Sequence, residues 1–150
     1  MDMKFSLALP RVAPSIPVVR RVVGDALRAL GVTEECVADI LVAASEACTN
    51  AVEHAHACGN YEVFGHVDED TVQLKIMDWG RGPRPVPPGT GPGSLAESGR
   101  GIKIMQALVD DLDIDSGPDR GTVVHLRKRL TWRDEALNRR LERRLMHSAG

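Results

Sequence analysis

Apolar residues recur at two periods along this 150-residue chain, and the two periods divide it into strands and helices. Lys4 to Leu9 alternates weakly and stops at Pro10, which predicts a short edge strand and then a link punctuated by Pro14 and Pro17. Val19, Val22, Val23, Ala26, Leu27 and Leu30 return at spacings of three and four, so a helix follows, with Ser15 as its N-cap, Pro17 in its first turn and Gly31 as its stop. Thr33 caps a longer helix. Glu34 and Glu35 complement the dipole of its first turn, Val37, Ile40, Leu41, Ala44, Ala47, Cys48 and Ala51 form its buried stripe, and Gly59-Asn60 ends it.

Tyr61 to Val67 and Thr71 to Met77 change to the period of a strand, and Asp68-Glu69-Asp70 between them is a hairpin signal. From Gly82 to Gly93 nine of twelve residues are Pro or Gly, which predicts a surface loop with the character of a lid. Gly99-Arg100-Gly101 opens a short helix, Ile102 to Val109, with Ile102, Met105 and Val109 on one side. Strands Leu112 to Asp115 and Thr122 to Leu126 flank a turn at residues 116–121, and a basic helix, Trp132 to Met146, carries Leu137, Leu141 and Leu145 at a spacing of four. This order predicts an α+β, two-layer α/β sandwich: a mixed, mostly antiparallel sheet with helices on one face.

Composition narrows the class. One domain is the economical reading of this length, here residues 1–130, with the basic C-terminal helix as 131–150. The net charge of −2 hides an asymmetry: residues 1–126 hold 11 Lys/Arg against 18 Asp/Glu, and 127–150 hold 8 against 3. With a pI near 6.2, docking on the domain or on a partner is the better reading of the tail than nucleic-acid binding. Three cysteines, Cys36, Cys48 and Cys58, without C-x-x-C spacing argue against a disulfide framework, and no stretch reads as a signal peptide or a membrane span. A cytoplasmic protein is expected.

Candidate chemistry gathers at two places. Glu46, Asn50 and His54 stand at i, i+4 and i+8, so they line one face of the second helix. Asp78 ends a strand and Gly80 and Gly82 follow it, so a carboxylate stands ready to accept from an exocyclic amine and the backbone can pass close to a flat ring. Asn50 offers an amide oxygen that suits Mg²⁺, with the Glu46 carboxylate near it. Either piece alone reads as a solvated face or a strand-ending turn; their order gives them meaning. A dinucleotide fingerprint fails because Pro85 stands where its third glycine belongs, and a P-loop fails because Gly99-Arg100-Gly101-Ile102-Lys103-Ile104 lacks the spacing and the hydroxyl. Gly99 and Gly101, at a helix N-terminus, would instead present N–H groups to phosphates. His54 reads as a structural, hydrogen-bonded residue, and the spacing of His54, His56 and Cys58 does not suit zinc.

The run Glu46-x-x-x-Asn50-Ala51-x-x-His54, Asp78-x-Gly80-x-Gly82, Gly99-x-Gly101 and Gly121-Thr122 resembles the N, G1, G2 and terminal boxes of the GHKL (Bergerat-type) ATPases, over most of the chain. With Ser98 to Met105 leading into Asp110-Asp111, it most resembles the RsbW/SpoIIAB-type anti-sigma factors, which are serine-protein kinases. The resemblance implies a homodimer that sequesters an alternative sigma factor and uses ATP and Mg²⁺ to phosphorylate a serine of a STAS-type anti-anti-sigma factor. It also assigns roles: Glu46 as catalytic base, Asn50 as Mg²⁺ ligand, Asp78 as adenine reader, Gly80 and Gly82 as adenine floor, Gly99 and Gly101 at the phosphates, and Thr122 assisting the base. Family members can carry a basic lid residue where Glu97 stands, for which Arg81, Arg84 and Arg100 would substitute. The alternative is a regulatory module that binds ATP without turning it over.

Overall fold

A computed structural model of the chain describes residues 2–53, 59–78, 91–117 and 121–148. Its elements are β1 (Met3–Pro10), α1 (Ser15–Leu30), α2 (Glu34–Glu53), β2 (Asn60–Val67), β3 (Thr71–Asp78), α3 (Gly91–Leu108), β4 (Asp111–Gly117), β5 (Gly121–Arg129) and α4 (Asp134–Ser148). The strands form one sheet in the order β1-β2-β3-β5-β4. All of its pairings are antiparallel, which sharpens the expected mixed sheet. β3 and β4 therefore run the same way with β5 between them, and α3 makes the crossover that such a pair requires.

Period-two patterning decides which face is covered. Tyr61, Val63, Val67, Val72, Leu74, Ile76, Val124 and Leu126 are buried against Val19, Val23 and Leu27 of α1, Val37, Ile40, Ala44, Ala47 and Cys48 of α2, and Met105 of α3. The alternate positions Lys75 and His125, which are register partners, are exposed on the other face. Core and helices α1, α2 and α3 thus share one side of the sheet, as expected of the two-layer sandwich.

Most predicted boundaries hold to within a few residues. Thr33 caps α2, its Oγ1 accepting from the Cys36 N–H at 3.4 Å, and Gly31 ends α1 in the left-handed conformation at φ 94°. Ser15 is a correction. It is the first residue of α1 after Pro14, because Ser15 N–H already donates to Val12 O at 2.9 Å and starts the turn. Its buried hydroxyl donates to Val12 O at 2.7 Å and shares a 2.6 Å hydrogen bond with Tyr61.

A larger correction concerns α3. Gly91, Pro92 and Gly93, expected in the loop, form its first turn, so Gly99 and Gly101 lie inside the helix and not at its N-terminus. Pro92 costs nothing there, since the first-turn N–H has no intrahelical partner, and a helical glycine costs only about 1 kcal/mol. A helix-end cradle for phosphate at Gly99 and Gly101 is absent from this arrangement. Residues 79–90, which hold Gly80, Gly82 and most of the Pro/Gly loop, lie outside the described residues, as do His54, His56 and Cys58.

Candidate nucleotide site

The site lies at one end of the sheet, where register decides what meets what. In the ladder Leu9 faces Tyr61, Tyr61 faces Asp78, Asp78 faces Thr122 and Thr122 faces Ser116. Asp78 continues the core-facing series Val72, Leu74, Ile76 with a carboxylate and is only 6% exposed. Such a group is costly to bury unless it is paired.

Its partner is a residue that the sequence patterns did not single out. Arg11, in the link between β1 and α1, donates from Nη2 to Asp78 Oδ1, and both side chains are almost fully buried. Removing one member of a buried pair typically costs about 3–5 kcal/mol. One signal in the sequence could have pointed to it, since Arg11 is the only charged residue between Lys4 and Arg20.

Helix α2 supplies the second wall. Asn50 joins Ala47, Ala51, Ile76, Asp78, Thr122 and Val124 around a cavity of about 30 Å³. The next helix closes on the same face: a Cβ built on Gly101 would come 3.1 Å from Glu46 Oε2 and 3.8 Å from Asn50 Oδ1. The missing side chain lets α3 approach the two polar groups. Glu46, Asn50, Asp78, Gly101 and Thr122 are therefore brought together. Gly99 has open space around it and Arg100 is exposed, so neither touches this cluster through a side chain. A larger hollow of about 440 Å³ lies apart, between α4 and Glu69, lined by Arg140, Arg143, Arg144 and His147. It contains none of the motif residues.

Beside the cavity, Cys48 and Tyr61 are kept neutral. Burial pushes the Cys48 thiol up to about 12, with the Tyr61 hydrogen bond pulling the other way. Burial likewise raises Tyr61 to about 12. Neither suits acid–base work near neutral pH, which leaves carboxylate, amide and the Thr122 hydroxyl as the polar groups of the cluster among the described residues.

These donors and acceptors fit a magnesium nucleotide: a buried acceptor for an exocyclic amine, an amide oxygen for a hard cation, a carboxylate beside it, and a backbone surface bared by Gly101. The sequence profile of the histidine kinase-like ATPase domain matches residues 9–128. The chain belongs to that family. The histidine kinase-like ATPase fold also recurs in the crystal structure of the RsbU and RsbW domains of Rv1364c from Mycobacterium tuberculosis. That similarity has a TM-score of 0.64 at 26% identity and covers 85% of this chain but 32% of that longer one. An anti-sigma F factor of Bacillus licheniformis is 36% identical over 101 residues, which is 62% of this chain and 69% of that protein. A serine-protein kinase RsbW of Halalkalibacterium halodurans is 29% identical over 151 residues, covering 90% and 88% of the two chains. Among the described residues no helix is long and apolar enough to cross a membrane.

Proposed function

We propose that this chain is a cytoplasmic, ATP-binding anti-sigma factor that sequesters an alternative sigma factor and phosphorylates a serine of a STAS-type anti-anti-sigma partner. The observation that carries the reading is the convergence of Asp78, Asn50 and Thr122 on one cavity, with Glu46 and Asn50 against Gly101. The relatives named anti-sigma F factor and serine-protein kinase support the biological half.

ATP–Mg²⁺ supplies the transferable phosphoryl group and the cation that offsets its charge. Asn50 would hold the ion through its amide oxygen, and Asp78 would accept from the exocyclic amine of the base. By the resemblance Gly80 and Gly82, outside the described residues, would form the floor beneath the base, and Gly99, Arg100 and Gly101, inside α3, would belong to the phosphate end. Glu46 takes the proton of the partner's seryl hydroxyl as the oxygen–phosphorus bond forms and the bond to the leaving diphosphate breaks. Thr122 assists from the neighbouring strand. The protein acts as a homodimer and uses no direct nucleic-acid or membrane contact.

The test is incubation with γ-labelled ATP, Mg²⁺ and candidate STAS-domain proteins, with nucleotide binding measured in parallel. Label is expected on a partner serine, and Glu46→Gln is expected to lower its rate by about 10²–10⁴-fold with nucleotide affinity retained. Unchanged phosphorylation in that variant would remove Glu46 from its role. A second reading, ATP as a structural ligand without turnover, draws on Glu97 standing where relatives can carry a basic residue. Binding without transfer to any candidate would favour it.

A further inference from the structure

The ion pair between Arg11 and Asp78 joins the purine reader to a link that belongs to none of the motif boxes. From it we infer that Arg11 is a positioning residue that fixes the Asp78 carboxylate and thereby sets the preference for a base bearing an exocyclic amine. The inference rests on the nucleotide reading of the site and assigns a specificity determinant within it.

Burial is the first support. The side chains of Arg11 and Asp78 are 5% and 8% exposed, so neither charge is offset by bulk water and their pairing is made away from solvent. Direction is the second. Asp78 lines the cavity with Asn50 and Thr122, whereas Arg11 is not among the residues of its wall. Arg11 therefore engages the carboxylate from a side other than the one a base would use. An ionised carboxylate has about four acceptor positions, so one guanidinium nitrogen on Oδ1 does not exhaust it.

The link itself is tied to the start of β2, the strand that pairs with Asp78. Arg11 N–H donates to Gly59 O at 3.3 Å, just before β2 begins. The Ser15 hydroxyl joins Val12 O to Tyr61, and Tyr61 is the register partner of Asp78. Arginine and aspartate thus sit on segments whose spacing is fixed by backbone and buried hydrogen bonds.

A competing picture has Arg11 as a plug that leaves when nucleotide enters. An exocyclic amine is a neutral donor and cannot replace a guanidinium beside a buried carboxylate, so displacement would separate two buried opposite charges. Arg11 stays while the base docks. An ionised carboxylate can only accept. It favours the 6-amino group of adenine and opposes the 6-oxo group of hypoxanthine, whose carbonyl would face it acceptor to acceptor.

The experiment compares binding of ATP and ITP to the full chain, in Mg²⁺, for wild type, Arg11→Gln and Arg11→Lys, with circular dichroism to establish which variants are folded. Wild type is expected to prefer ATP. In Arg11→Gln, ATP affinity should fall by about tenfold and ITP affinity by much less, so the preference collapses, while Arg11→Lys should retain part of it. An unchanged ATP-to-ITP ratio in either folded variant, or equal losses for both nucleotides, would overturn the inference and leave the site reading intact. Failure of wild type to bind ATP at all would overturn the site reading and the inference with it.

Discussion

Cys48 and Tyr61 sit side by side under the site, and their protons are held there by burial. Both groups have folded values raised to about 12, from ordinary values of 9.0 and 10.0. In the window between, the native state binds more protons than the unfolded chain, so stability is full below about pH 9 and declines as pH rises toward 12. Urea midpoints at pH 8, 9 and 10 should fall in that order; a midpoint that holds across the series would show that neither group is held neutral. The neutral thiol also explains why a cysteine two residues before Asn50 is unsuited to nucleophilic chemistry. At this scale the sequence was informative about types and poor about pairs. Asp78 stood out as a carboxylate at a strand end, but its partner lies 67 residues away, beyond anything periodicity encodes.

Elements are positioned by a few places where a side chain is missing. Gly65 faces Phe5 across the β1–β2 ladder, and a Cβ there would meet the ring at 2.1 Å. Gly65→Ala must push Phe5 aside and is expected to cost about 1–3 kcal/mol, read as a lower denaturant midpoint with an unchanged slope. Gly31 plays a similar part between helices, combining its left-handed conformation with a Cβ position 2.3 Å from Ala136 of α4. Strand and helix types were legible because the alternation in β2 and β3 and the three-four spacing in α1 and α2 each match one backbone period. The start of α3 was not. Gly91-Pro92-Gly93 reads locally as a breaker, yet a first-turn proline and tolerated glycines let the helix begin eleven residues before Ile102.

Across the whole molecule, α4 stands apart from the core. Only Ala136 of it is buried, while Leu137, Leu141 and Leu145 are 42%, 48% and 69% exposed. The leucines, expected to pack on the domain or on a partner, thus turn away from this domain. The body is met by Arg140, stacked 3.8 Å from the Trp132 ring centroid, and by Arg144, which pairs with Glu69 and Asp70 on the β2–β3 hairpin. Exposed ion pairs of this kind contribute about 0–1 kcal/mol. Truncation after Asn138 keeps Ala136 against Gly31 and should therefore change the unfolding free energy by less than about 1 kcal/mol, measured by urea denaturation. A larger loss would mean that the helix carries weight in the fold that its contacts do not reveal.

By itself the sequence determined which segments are strands and helices, their order, and the chemical identities of Glu46, Asn50, Asp78 and Thr122, because each is written in local spacing. Tertiary structure alone decided that Asp78 faces Thr122, that Gly101 lies against Glu46, that α3 encloses its glycines, and that Arg11 reaches the Asp78 carboxylate. Those outcomes depend on strand register, on how closely two helix backbones approach, and on where a buried charge finds its partner. Each is a balance struck between segments distant along the chain, and no local pattern carries it.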